Sequence, residues 1–122
     1  MTSKAPDILR IAVAQLNPVV GDVVGNLAKA REARADAARQ GADLVLYTEL
    51  FIAGYPPEDL VLKPAFQAAC RAAIEALARE TAGGGPALIV GTPWVEGDNL
   101  YNAVALLEGG CIAGLRFKVD LP

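Results

Sequence analysis

The sequence contains no histidine, and only two cysteines, Cys70 and Cys111, among 122 residues. Without histidine the chain cannot hold a Ser-His-Asp or Cys-His triad of its own, and most zinc sites and any histidine pH switch are excluded with them. Long apolar runs are also missing. No stretch approaches the roughly 20 apolar residues that span a bilayer. The opening Met1–Asp7 segment has no basic region followed by an apolar core, and Arg10 and Gln15 break the first hydrophobic run. Two cysteines in a chain of this kind read as reduced thiols, so a cytoplasmic location is expected and a membrane partner is not.

Positive charge is scarce as well. Fourteen acids against 11 bases give a formal charge of −3, and the bases are scattered. Phosphate-backbone binding needs a basic patch, so nucleic acid is not an expected partner. No Gly-x-Gly-x-x-Gly follows the first strand, where the turn is Asn17-Pro18. Gly109 and Gly114 have P-loop spacing, but Leu115-Arg116 stands where Lys-Ser/Thr is required. Neither pattern supports a nucleotide site, and no metal site is expected.

What the chain does have is apolar sequence cut by turn residues: 53% of it is hydrophobic and 20% charged, enough for one domain with a real core. Ile8 to Leu16 reads as a strand covered on both faces. Asn26 is a plausible N-cap for a helix running to about Gln40, with Gly41 at its end. Lys29, Arg31, Glu32, Arg34, Asp36 and Arg39 alternate in sign along that helix and suit a solvated face. Asp43 to Thr48 forms a second strand. A loop follows in which Gly54 and Pro56-Pro57 forbid regular structure.

From Pro64, the residues Phe66, Cys70, Ala73, Ile74 and Leu77 recur at helical spacing, and Thr81 to Gly85 ends that helix. Cys70 lies on the apolar face and reads as a small core residue. Ala87–Val95, Leu100–Leu107 and Cys111–Val119 are three further strands joined by hairpin-length turns. The order implies an α/β fold with a mixed sheet, begun in parallel by crossovers, continued as an antiparallel meander, and carrying its helices on one face.

Two charged residues near strand ends are the candidates for chemistry, Glu49 and Lys118. A carboxylate at the end of a buried run is costly unless it is paired or used. A rim ion pair between strands and a catalytic pair both fit, and composition alone favours the ion pair.

Three strings bear on that choice: AQLNPVVGD at 14–22, TELFIAGYPPEDLVLKPAF at 48–66, and YNAVALLEGGCIAGLRFKVDLP at 101–122. Together, in this order, they resemble the amide-hydrolysing domain of the glutamine-dependent NAD synthetases, a branch of the nitrilase (carbon–nitrogen hydrolase) superfamily. The GYPPEDL segment points to that branch over generic amidases. The resemblance implies part of a nitrilase-like α-β-β-α sandwich, with Glu49 as general base, Lys118 as the family's lysine in the string ending Leu121-Pro122, and Tyr55 lining the glutamine pocket.

In that family a cysteine attacks the glutamine side-chain amide, forms a thioester and releases ammonia, and a separate synthetase domain uses the ammonia to amidate nicotinic acid adenine dinucleotide with ATP and magnesium. By the same resemblance the nucleophilic cysteine lies beyond Lys118. Cys70 is in a helix, and Cys111 precedes Lys118 by an odd offset that puts the two on opposite faces of a regular strand.

Residues 1–122 are therefore expected to be the N-terminal part of the hydrolase domain, without the synthetase domain and inactive alone. Their expected partners are glutamine, the rest of the same polypeptide, and a second copy through the uncovered sheet. A stand-alone nitrilase-type amidase and a non-catalytic, nitrilase-like assembly domain are the alternatives. A carboxylate of pKa about 4 is a poor base for a thiol of about 8.5, so Glu49 is expected to be buried beside Leu44–Leu46 and raised in pKa, with Lys118 opposing the rise.

Overall fold

Five strands and two long helices account for most of the chain in a computed structural model that describes residues 8–118. Val119, the expected end of the last strand, and Leu121-Pro122 lie outside the described residues. In order come β1 (Ile11–Val13), α1 (Val23–Arg39), β2 (Leu44–Leu46), a short 3-10 turn (Glu58–Leu62), α2 (Pro64–Glu80), a second 3-10 turn (Thr81–Gly83), β3 (Ala87–Glu96), β4 (Asn99–Glu108) and β5 (Cys111–Phe117). The sheet runs β1-β2-β3-β4-β5. β1, β2 and β3 pair in parallel, and β3, β4 and β5 pair antiparallel. The mixed sheet read from the sequence is therefore present.

The helix-covered face is dry. Val45, Leu88, Val90, Ala103, Ala105 and Leu107 are fully buried there, against Ala30 and Ala37 of α1 and Cys70, Ala73, Ile74 and Leu77 of α2. α2 starts at Pro64 and ends near Thr81 as its spacing predicts. On the opposite face Ile11, Val13 and Val104 remain exposed. Both helices thus sit on one side, and half of a two-sheet sandwich is what the chain forms.

Three boundaries differ from the sequence reading. β1 and β2 are only three residues each, although their apolar runs are longer. At their start the Asp43 carboxylate accepts a hydrogen bond from the Arg10 amide at 2.9 Å, which replaces a ladder bond. α1 begins three residues before Asn26, with Asp22 as its N-cap accepting from the Gly25 amide at 2.9 Å. Asn26 is instead fully buried. Its side-chain oxygen accepts from Val19 N at 2.8 Å, and its amide donates to Val19 O at 2.9 Å and Ile52 O at 3.0 Å. Asn26 therefore pins the loop after β1 to the loop after β2.

The third difference is a bulge. Leu107 pairs with Ile112 but Leu106 pairs with Gly114, so β5 carries an extra residue between them. The extra residue reverses the in-out alternation. Cys111 opposite Glu108 and Arg116 opposite Val104 consequently share the open face, and Lys118, whose amide bonds Asn102 O at 2.9 Å, continues that row. Cys111 and Lys118 therefore lie on one face, not on the opposite faces that a regular strand would give them. They are still seven residues apart, about 20 Å along a strand.

Candidate active site

Glu49 follows β2 by three residues, in a turn whose next residue, Leu50, has φ 51°. A left-handed backbone is uncommon for a leucine and costs roughly 1–3 kcal/mol. It turns the chain sharply, so that Glu49 points over the open face of the sheet. The backbone at this turn rests directly on β3. A Cβ placed on Gly91 would lie 2.5 Å from Leu50 N and 2.8 Å from Thr48 O, so any side chain there would push the turn away. The loop that follows is seated in the same manner, because a Cβ on Gly54 would lie 2.5 Å from Val20 Cα.

The structure brings Glu49 and Lys118 together across 69 positions of sequence. Lys118 Nζ donates to Glu49 Oε2 at 2.8 Å. A third residue joins them that the sequence reading missed: Asn102 Nδ2 donates to the same Oε2 at 2.5 Å. Its signal was a polar amide within an otherwise apolar and aromatic strand, Tyr101 to Leu107. Among the described residues, Glu49 Oε1 accepts no hydrogen bond. These groups line an open cleft of ≈ 340 Å³ with Tyr47, Thr48, Ile89, Gly91 and Val104.

Larger recesses lie between α1 and β1 (≈ 430 Å³) and beside Pro56–Lys63 (≈ 520 Å³). In neither does a lining acid pair with a lining base among the described residues; Asp36 pairs instead with Arg39, outside the recess. Tyr55, the expected pocket residue, does not line the Glu49 cleft, and it is 60% exposed on the loop after the turn.

Glu49 is not buried: its side chain is 44% exposed and that of Lys118 is 46% exposed. Its carboxyl is held below the ordinary carboxylate value, chiefly by the hydrogen bond from Lys118 and then by that from Asn102, with burial opposing weakly. The expected raised pKa is thus reversed. The apolar run Leu44–Leu46 is there, but the turn carries Glu49 away from it onto an uncovered face.

An ion pair this exposed contributes at most about 1 kcal/mol to stability. Chemically, the cluster offers an ionised carboxylate with one oxygen tied and, among the described residues, one free, beside an ammonium able to stabilise an oxyanion. Among the described residues, no group of three or more His, Cys, Asp or Glu side chains stands where it could hold a metal ion.

The two thiols stand apart from this cluster. Cys70 is fully buried in α2, and burial pushes its thiol up to about 12. Cys111 is exposed at the far end of β5.

Comparison with known proteins bears on what such a cluster does. A family model described as carbon-nitrogen hydrolase matches residues 10–122. The glutamine-dependent NAD(+) synthetase of Thermotoga maritima is 42% identical over 115 residues, covering 93% of this chain and 20% of that protein. The structure of glutamine-dependent NAD+ synthetase from Acinetobacter baumannii, in complex with adenosine diphosphate, superposes with a TM-score of 0.85 at 30% identity, over 93% of this chain and 21% of that one.

A glutamate-to-leucine mutant of the amidase from Nesterenkonia sp. AN1, with the acetamide moiety of fluoroacetamide added covalently at its active-site cysteine, gives a TM-score of 0.78 at 30% identity, over 93% of this chain and 44% of that one. The chain spans about a fifth of the length of the curated relatives it matches.

Proposed function

Because the chain belongs to the carbon-nitrogen hydrolase family, we propose that it forms the N-terminal part of a domain that hydrolyses glutamine and supplies ammonia to a glutamine-dependent NAD synthetase. The observation that carries this reading is the convergence of Lys118 and Asn102 on one oxygen of Glu49. That arrangement has little value for stability and leaves Oε1 free to take a proton.

In this reading Glu49 is the general base. A cysteine thiol passes its proton to Glu49 Oε1 while sulfur attacks the carboxamide carbon, and the Lys118 ammonium stabilises the resulting oxyanion. The carbon–nitrogen bond then breaks, the proton goes to the departing nitrogen as ammonia, and a thioester remains. Water, deprotonated by the same carboxylate, releases glutamate and restores the thiol. A positioned base contributes about 10²–10⁴ in rate, and one oxyanion donor about 10²–10³.

The nucleophile comes from outside residues 1–122. Cys70 is buried with its thiol protonated, and Cys111 is about 20 Å along β5 from Lys118. Residues 1–122 alone are therefore inactive. Further chain of the same polypeptide covers the face that bears Ile11 and Val13, and drying of that face strengthens the burial effect that now only weakly raises Glu49. Tyr55, which lies outside the Glu49 cleft formed by the described residues, meets glutamine only in the pocket that the further chain completes, and the complete protein self-associates in a cytoplasmic setting. ATP and magnesium act in the synthetase part.

A stand-alone amidase is the second reading, favoured by the likeness to the Nesterenkonia amidase. Supplying the full-length polypeptide with [amide-¹⁵N]glutamine, ATP and nicotinic acid adenine dinucleotide separates the two. Label in the NAD carboxamide supports the first reading. Hydrolysis of simple amides without labelled NAD supports the second.

A further inference from the structure

We propose that Asn102 is a positioning residue that fixes the Glu49 carboxylate against Lys118 and reserves Oε1 for proton transfer. The proposal rests on the reading of Glu49 as the base. A lysine alone cannot fix a carboxylate, because its ammonium ends a flexible four-carbon stem with many rotamers. The terminal torsion of a glutamate is likewise soft, so the two oxygens would exchange. Asn102 supplies the rigid partner. It sits within β4, paired with Pro93 of β3, and its amide has only two torsions.

The direction of its hydrogen bond is settled by chemistry. An ionised carboxylate only accepts, so the NH₂ end must face Glu49. Asn102 also touches the other partner, since its backbone carbonyl accepts from Lys118 N at 2.9 Å. One residue therefore sets the spacing of both charged groups, its side chain holding the base and its backbone holding the lysine.

Stability does not account for an asparagine here. Its Oδ1 is enclosed and accepts no hydrogen bond among the described residues, and an unpaired buried acceptor is destabilising. An apolar residue would suit a strand followed by Ala103, Val104 and Ala105 better.

Any substitution keeps the backbone bond to Lys118, so side-chain variants test the Glu49 contact alone. In the full-length polypeptide, Asn102→Ala is expected to lower glutamine-driven turnover by about 10²-fold, as a displaced reactive group does, with KM for glutamine and ammonium-driven turnover unchanged. The acid limb of the glutamine pH profile should move to higher pH, because a donor to the ionised form is lost. Lys118 is the charged group facing Glu49 among the described residues, and it stays in place.

Asn102→Asp keeps the shape, removes the donor and adds a like charge, so it should lose at least as much and shift the limb further. Wild-type turnover in Asn102→Asp would overturn the proposal. So would a slow Asn102→Ala whose acid limb has not moved and whose melting temperature has fallen, since that is what a structural role gives. Glu49→Gln in the same assay separates the two levels: if it retains glutamine-driven turnover, the reading of the base and this inference both fail. If it is inactive while both Asn102 variants are normal, only this inference fails.

Discussion

Gly91→Ala tests the seating of the candidate base more directly than any change at the base itself. The added Cβ would lie 2.5 Å from Leu50 N, 2.8 Å from Thr48 O and 3.1 Å from the Glu49 carbonyl carbon. Carbon makes ordinary contacts at about 3.5–4.0 Å, so the turn must retreat by about 1 Å. All three obstacles are backbone atoms, and no side-chain rotation relieves them. Overpacking of this kind costs about 1–3 kcal/mol. A 1 Å displacement of a catalytic group costs about 10² in rate.

Gly91→Ala in the full-length polypeptide should therefore melt a few degrees lower and lose about 10²-fold of glutamine-driven NAD formation. The rate with free ammonium, which bypasses this site, should be unchanged. Gly83→Ala is the control, because a Cβ there meets nothing within 4 Å and should stay within about 0.5 kcal/mol of the parent. A Gly91→Ala protein with the parent's melting temperature and glutamine rate would refute the claim that the Thr48–Leu50 backbone rests on β3.

Lys118→Met removes the largest cause of the depressed Glu49 pKa. Glutamine-driven turnover should fall by about 10²–10³-fold, and the acid limb of its pH profile should rise. Stability should respond little. A depressed carboxylate stabilises the fold above its unfolded pKa, and that stability is lost as pH falls through the folded value; an exposed pair limits the change to at most about 1 kcal/mol. Thiol labelling near pH 8 should modify Cys111 well before Cys70, whose thiol is pushed up to about 12, and Cys70 should react only on unfolding. Equal rates in the folded protein would contradict the packing of α2.

Strand and helix identities were legible because periodicity and turn residues agree locally: Pro64 opens α2, and glycine-bearing pairs divide β3, β4 and β5. What escaped the sequence depends on tertiary contact. Asp22 and Asn26 both suit an N-cap, and the choice between them was made by Val19 and Ile52, the partners of Asn26. The β5 bulge had a faint sign in Gly114, a lone glycine within a strand, yet its effect on Cys111 follows only from pairing with β4.

The Glu49–Lys118 contact was legible as a resemblance. Asn102 and the exposure of Glu49 were not, because they depend on where the turn after β2 crosses the sheet, and Gly91 decides that.

The central claim is that Glu49 is the base for hydrolysis of the glutamine amide. The most direct test is the rate of NAD formation by the full-length Glu49→Gln protein, driven by glutamine and, in parallel, by ammonium. Loss of the glutamine-driven rate by at least about 10²-fold, with the ammonium-driven rate intact, is the predicted result. Equal loss of both rates, or retention of both, would contradict it and leave Glu49–Lys118 as a rim ion pair.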